Sequence, residues 1–300
     1  MAVVGVVLAV GVGALFVPGA PLAPSRLHDA VDAQTDPSAD DASPSGSAAS
    51  SAAPKPSPTL AALPFRATSV VVPPGVTFFS WSLMDRRTGQ IWGSTNQTAT
   101  TWPASMIKGW IASDFLRRAT ESNQAPGQDR LDEITAMIRD SDNDAAEDIF
   151  NALGRNASLT RLLSICKFTD STVDPRGWGF VNISARDSVR MADCIADGTA
   201  AGPQWTDFLL GLMRTVREGD WGIRDALHPA DAAQVAIKNG WLDYDDDGNW
   251  HVNCMAVAGD WAMSVLQRYP IDGPHLDESF GAQNCEAVAT QLLNPSYVIG

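Results

Sequence analysis

The sequence predicts an α+β domain behind a long unstructured lead. Three observations predict it. Apolar residues alternate with period two near residue 80 and in three runs between residues 233 and 270. Between residues 105 and 216 they recur at helical spacing, and residues 21–66 show no apolar period at all. Two strands, a block of helices, three strands and a final helix make an α+β chain, with the N- and C-terminal strands expected in one antiparallel sheet.

In "VTFFSWSLMD", Phe79, Trp81 and Leu83 alternate with Ser80 and Ser82, a half-buried strand. "RRTGQ" turns it and "QIWGS" returns as the second hairpin arm. Ile107, Ile111 and Phe115 repeat at i+4, a helix starting near Ser105. Leu131, Ile134, Met137 and Ile138 mark the next, and "NDAAEDIFNAL" and "SLTRLLSIC" are helical too. "SARD" at 184–187 has the capping-box form, opening a helix through "SVRMADCIA". "QWTDFLLGLMRTV" is a further helix. "AQVAIKNGW", "WHVNCMAVAG" and "WAMSVLQRYP" read as three successive strands, and "FGAQNCEAVATQLL" as the closing amphipathic helix.

The chain has 300 residues and a formal net charge of −14, with 35 acidic against 21 basic residues, which argues against nucleic acid and against an anionic membrane surface as partners. Residues 2–17 are an uncharged apolar run, so residues 1–20 are expected to be a signal peptide or a membrane anchor, with both readings open and either one exporting the chain. Residues 21–66, rich in Ala, Ser and Pro, cannot bury enough surface to offset their ordering entropy and are expected to be a disordered linker. The folded domain is expected over 67–300, as a monomer whose membrane association goes through the N-terminal segment alone.

Cys166, Cys194, Cys254 and Cys285 permit two disulfides in an oxidising compartment, in three possible pairings, with four buried thiols as the alternative. The pairing expected is Cys166 with Cys194, in a helical region, and Cys254 with Cys285, strand to last helix. No C-x-x-C occurs and the four histidines are scattered, so no metal site and no cofactor are expected. "DYDDDG" at 243–248 matches half of a calcium loop, but Cys254 stands where the bidentate acid belongs; a hairpin turn is expected instead.

The chemistry centres on Ser105-Met106-Ile107-Lys108. Three residues apart on a helix, the two side chains share a face. A serine hydroxyl is a weak nucleophile that needs a base, and lysine serves only when burial or a second cation lowers its pKa. Ser-x-x-Lys by itself is weak evidence, since Ser164-Ile165-Cys166-Lys167 matches it too. Two later motifs strengthen the first. Ser141-Asp142-Asn143 follows, then Lys238-Asn239-Gly240 on an expected strand, so two of the chain's four lysines fall in the pattern.

The order Ser-x-x-Lys, Ser-Asp-Asn, Lys-x-Gly resembles the class A β-lactamase and penicillin-binding protein superfamily, over about residues 76–294. "WSLMDRRTGQIWGSTNQTATTWPASMIK" resembles its first hairpin and nucleophile helix, and "LDESFGAQNCEAVATQLL" its last helix. "KNGW" with "WHVN" is similar to exported actinobacterial serine hydrolases of this fold. The resemblance implies a five-stranded antiparallel sheet flanked by helices, plus an all-helical subdomain. It implies Ser105 as acylated nucleophile, Lys108 as its base, and Ser141 as proton relay to the leaving nitrogen. Asn143 would hold Lys108 and a substrate amide. Lys238 would depress the pKa of Lys108 and attract a substrate carboxylate. The oxyanion would lie between the N–H groups of Ser105 and Trp241.

The chain departs from that pattern in three places. Asn239 replaces the usual hydroxyl residue, leaving an amide to meet a carboxylate. His251 falls where class A enzymes often place a carboxylate-binding arginine; it does that job if protonated, or is a plain strand histidine. No glutamate occurs between Glu147 and Glu218, so the base that activates the deacylating water on the Ω-loop is missing, and Asp170 and Asp174 align poorly with it. Two functions follow as expectations. One is an exported serine acyl-enzyme acting slowly on β-lactam or D-alanyl peptide-like amides, as small molecules or peptidoglycan peptides. The other is a non-catalytic protein that binds peptidoglycan or an envelope partner.

Overall fold

The computed structural model describes residues 70–275 and 277–293. The expected N-terminal segment 1–20 and linker 21–66 lie outside the described residues. In chain order come β1 (Phe78–Asp85), β2 (Gln90–Gly93), β3 (Thr100–Thr101), a 3-10 turn (Ala104–Ile107), α1 (Lys108–Glu121), α2 (Gln128–Arg139), α3 (Asn143–Ala152) and α4 (Asn156–Ile165). A second 3-10 turn (Trp178–Phe180), β4 (Ile183–Ser184), α5 (Ala185–Ala196), α6 (Pro203–Arg214), a third 3-10 turn (Ile223–Ala226) and α7 (Pro229–Ala232) follow. The chain then runs through β5 (Ala236–Ile237), β6 (Gly240–Tyr244), β7 (Asn249–Ala258), β8 (Trp261–Pro270) and α8 (Ser279–Leu292).

The main sheet is antiparallel in the order β2-β1-β8-β7, with β5 and β6 both on the far edge of β7. The N- and C-terminal strands pair as expected, Phe78 opposite Arg268 through Asp85 opposite Trp261. Five strand positions are filled, but the fifth is split. β5 and β6 share one register on β7, with Ile237 opposite Ala256 and Gly240 opposite Asn253. The break falls at Lys238-Asn239. Lys238 N–H bonds Met255 O at 3.1 Å, but Met255 N–H bonds the Asn239 side-chain Oδ1 at 3.3 Å, where a main-chain carbonyl would continue the ladder.

Both faces of the sheet are covered. Phe79, Trp81, Leu83, Cys254, Ala256, Met263 and Val265 pack with Val288, Ala289 and Leu292 of α8. Met84, Met255, Val257, Ala262 and Leu266 join the core that contains Ile107, Trp110, Ile111 and Ile195 of the helical side. This corrects the half-buried reading of β1. Ser80 and Ser82 are fully buried, because α5 lies over their face. Their hydroxyls are satisfied there, Ser80 with Asn96 O and Ser94 Oγ and Ser82 with Gln97 Oε1.

α1 is the central helix of the helical subdomain, touching α2, α3, α4 and α6. The carboxylate of Asp114 is buried on it and accepts from Ser158 Oγ, Arg117 and Arg161, tying α1 to α4. Ser184 caps α5 by accepting from Asp187 N–H at 3.0 Å. The reciprocal half of the expected capping box is absent. The buried Asp187 carboxylate instead accepts from the N–H groups of Thr169, Asp170 and Ser171 and from Ser171 Oγ, fixing the base of the loop before it. Both expected disulfides are present, Cys166–Cys194 and Cys254–Cys285. Residues 245–248 form the turn between β6 and β7, and no group of three or more metal-ligating side chains occurs among the described residues.

Candidate active site

The site forms where the first 3-10 turn, the α2–α3 junction and the edge strand β6 meet. Ser105 lies in the turn just before α1, and Lys108 is the first residue of the α-helix proper. The residue before the serine, Ala104, has φ +49°, a strained conformation for a residue with a Cβ. Ser141 also has positive φ, +56°, and ends α2. Asp142 starts α3, its side chain accepting from Ala145 N–H at 2.8 Å, and Asn143 is the first helical residue. Ser-Asp-Asn is thus a helix stop, a helix cap and a helix start in three consecutive residues. That sharp corner aims Ser141 and Asn143 back toward α1.

Two lysine amines converge on this corner. Lys108 Nζ donates to Ser141 O at 2.5 Å and Asn143 Oδ1 at 2.6 Å, and lies 3.5 Å from Ser141 Oγ. Lys238 Nζ donates to Ser141 Oγ at 3.0 Å and Asn239 O at 3.2 Å. Both side chains are 0 % exposed. Burial pushes the Lys108 amine down to about 7, against the pull of the Asp142 carboxylate. Lys238 is pushed down by burial and then by repulsion from Lys108, so in this pair the repulsion falls on Lys238 and desolvation is what lowers Lys108. Ser105 Oγ accepts no hydrogen bond from Lys108; among the described residues the Lys108 amine is held by Ser141 and Asn143.

Gly240 lets β6 close on the serine. A Cβ there would stand 2.1 Å from Pro103 O, 2.4 Å from Met106 N and 2.8 Å from Ser105 N. The ladder alternation set by the Lys238–Met255 bond turns the N–H groups of Gly240 and Leu242 toward β7 and that of Trp241 toward the open edge. The N–H of Ser105 lies in the first turn of its helix, where it has no acceptor within the helix. These two N–H groups are the donors available to an oxyanion.

Two expected substrate contacts lie elsewhere. Asn239 is buried, and its Nδ2 donates to Gly219 O at 2.9 Å and Trp221 O at 2.6 Å while its Oδ1 accepts from Met255. Its amide holds strand to loop, not to the cavity. His251 is 1 % exposed, 3.0 Å from Thr101 Oγ1 through Nδ1 and 3.0 Å from Asp247 through Nε2, and stacks on Trp102 at 5.0 Å. Burial pushes its imidazole below the ordinary range. His251 is a packed ring between β7 and the Thr101–Trp102 segment.

A cavity of about 310 Å³ opens on Ser105, Asn143 and Trp241. Its far wall is the segment 176–180, closed at its base by the Thr172–Asn182 bridge. Trp178 of that segment lies with its ring centre 5.1 Å from Lys108 Nζ, and its Nε1–H donates to Glu147 at 3.1 Å. Glu147 also pairs with Arg155, which holds its carboxyl below the usual carboxylate range. Asp170 is bound to Arg186, Ser184 and Thr169, and Asp174 to Arg176; neither lines the cavity. Sequence reasoning missed Glu147, Trp178 and Arg176. The i, i+4 spacing from Asn143 to Glu147 on one helix carried the signal for the first. Nothing local marked the other two.

An antiparallel sheet with a helical half on one face, a C-terminal helix on the other and Ser-x-x-Lys at their junction is the β-lactamase-like fold. Solved structures with this fold include a β-lactamase from Xanthomonas campestris pv. campestris, 18% identical with a TM-score of 0.56, covering 72% of this chain and 91% of that one. The extended-spectrum β-lactamase TLA-3 is 14% identical with a TM-score of 0.60, covering 72% and 92%. The profile of the Beta-lactamase enzyme family matches residues 129–262. A protein of Mycobacterium tuberculosis and Mycobacterium bovis named "Putative lipoprotein LppW" is 28% identical over 241 residues, 76% of this chain and 74% of that protein. The chain has the β-lactamase-like fold, and its residues 129–262 match the Beta-lactamase enzyme family.

Proposed function

We propose that this chain is an exported, monomeric serine acyl-enzyme acting on amide carbonyls of the β-lactam or D-alanyl peptide kind, and that it deacylates slowly. The observation that carries the reading is the pair of buried lysine amines flanking Ser141 beside a cavity lined by Ser105. Neutral Lys108 takes the proton of Ser105 Oγ as the oxygen bonds the carbonyl carbon. The C–N bond then breaks as the nitrogen receives a proton from Ser141 Oγ, which recovers one from Lys108. The N–H groups of Ser105 and Trp241 hold the oxyanion meanwhile.

Hydrolysis of the ester needs a base for water. Asp170 and Asp174 lie outside the cavity lining and are bound to Arg186 and Arg176, and Glu147 is held by Arg155 and Trp178. The acyl ester therefore persists. Export agrees with two disulfides, which form in oxidising compartments, and with the lipoprotein name of the mycobacterial relative. The other reading, a non-catalytic envelope-binding protein, draws on the lack of a Lys108–Ser105 bond. An intact-mass time course with benzylpenicillin separates them: a lasting adduct on the parent and none on Ser105→Ala is expected. Equal labelling of both proteins, or no labelling of the parent by either benzylpenicillin or its methyl ester, would sink the acyl-enzyme.

A further inference from the structure

A substrate carboxylate beside the scissile bond needs a cation or polar hydrogens free to meet it, because a buried charge without a partner costs several kcal/mol. Three side chains that could serve, those of Asn239, His251 and Lys238, are engaged elsewhere. The Asn239 amide donates to Gly219 O and Trp221 O. His251 is packed between Thr101, Asp247 and the Trp102 ring. Lys238 Nζ is fully buried and points at Ser141 Oγ and Asn239 O. The cations lining the cavity are Arg155 and Arg176. Arg155 is paired with Glu147, and Arg176 sits between Asp174 and Asp246, so the second cluster is net negative. The Arg176 guanidinium also lies over Trp102 and Phe180, at 4.6 and 4.2 Å, which fixes it in the wall. What the cavity offers a ligand is aromatic surface, from Trp178, Phe180, Trp241 and Tyr244.

We infer that the substrate of this site is uncharged: an ester or amide with an apolar, ring-bearing acyl part and no carboxylate beside the bond that Ser105 attacks. The inference rests on the acyl-enzyme chemistry proposed above and replaces its carboxylate-bearing substrates with neutral ones. The chemistry is unchanged, with the acyl carbon passing to Ser105 Oγ and the leaving atom taking the proton. The aromatic wall holds the acyl group, and the net negative rim repels a free acid.

The test compares benzylpenicillin with benzylpenicillin methyl ester on the full chain, by intact mass. Each acylation rate constant is divided by that compound's rate constant with hydroxide, which removes intrinsic reactivity. The expected result is a normalised rate at least about tenfold higher for the methyl ester, with no adduct on Ser105→Ala. A ratio below ten overturns the inference and leaves the acyl-enzyme standing. No adduct with either compound, or with 4-nitrophenyl phenylacetate, overturns both, because no acyl-enzyme then forms.

Discussion

In the proposed reaction Lys108 serves as the base because it is badly placed as a cation. Its amine sits in the interior with a folded pKa of about 7 against an ordinary 10.5. Acylation should therefore rise with pH along a limb with its midpoint near 7, and a flat profile from pH 5.5 to 8.5 would remove Lys108 from the role. The same shift has a stability consequence. Between about 7 and 10.5 the unfolded chain holds a proton on this lysine that the folded chain lacks, so folding stability should gain roughly 1.4 kcal/mol per pH unit from this group. Below the folded value the burial penalty is at its full size. Lys108→Met should thus abolish acylation while raising the melting temperature at pH 6, read by a mass assay and a thermal melt on one preparation. Ser105→Ala should lose acylation by about three orders of magnitude or more with little change in melting temperature.

Strand β6 and the loop before α5 hold those residues in position. Gly240→Ala would drive a methyl group into Pro103 O and Met106 N, both main-chain atoms that cannot swing aside. The expected outcome is roughly 1–3 kcal/mol of destabilisation and loss of acylation, seen in urea unfolding and in the mass assay. Asp187 is the corresponding support for the loop. Its buried carboxylate collects three main-chain N–H groups and the Ser171 hydroxyl. Asp187→Asn replaces a full charge with one acceptor and two donors that face donors. It should cost about 1.5–3 kcal/mol and speed amide exchange at residues 169–171, which hydrogen-exchange mass spectrometry resolves.

Across the whole molecule, the two disulfides tie the halves internally. Cys166–Cys194 joins the end of α4 to α5 in the helical half, and Cys254–Cys285 joins β7 to α8 across the other face of the sheet. By loop entropy each closure of about thirty residues is worth about 3–4 kcal/mol. Dithiothreitol should lower the denaturant midpoint, and the Cys254→Ala/Cys285→Ala double variant should reproduce about half the loss. An unchanged midpoint under reduction would place the stability in the core alone.

Most helices and the order of the strands were legible in the residues, because apolar spacing of two or of three to four reports which side of a backbone faces a core. The residues that meet at the candidate site were legible as well, since Ser105, Lys108, Ser141, Asn143 and Lys238 lie in three short motifs. By itself the sequence determined the period of each element, the cap at Ser184, and the residue types that any chemistry must use. Tertiary structure alone decided the surroundings. Covering by α5 buried Ser80 and Ser82, which alternation had assigned to solvent. Packing turned the Asn239 amide to Gly219 and Trp221 and closed His251 between Asp247 and Trp102. It also brought Glu147, Trp178 and Arg176 to one cavity. The reason is physical. Periodicity is a property of neighbours along the chain, whereas desolvation, pairing and the direction of a polar side chain depend on which distant segments arrive beside it.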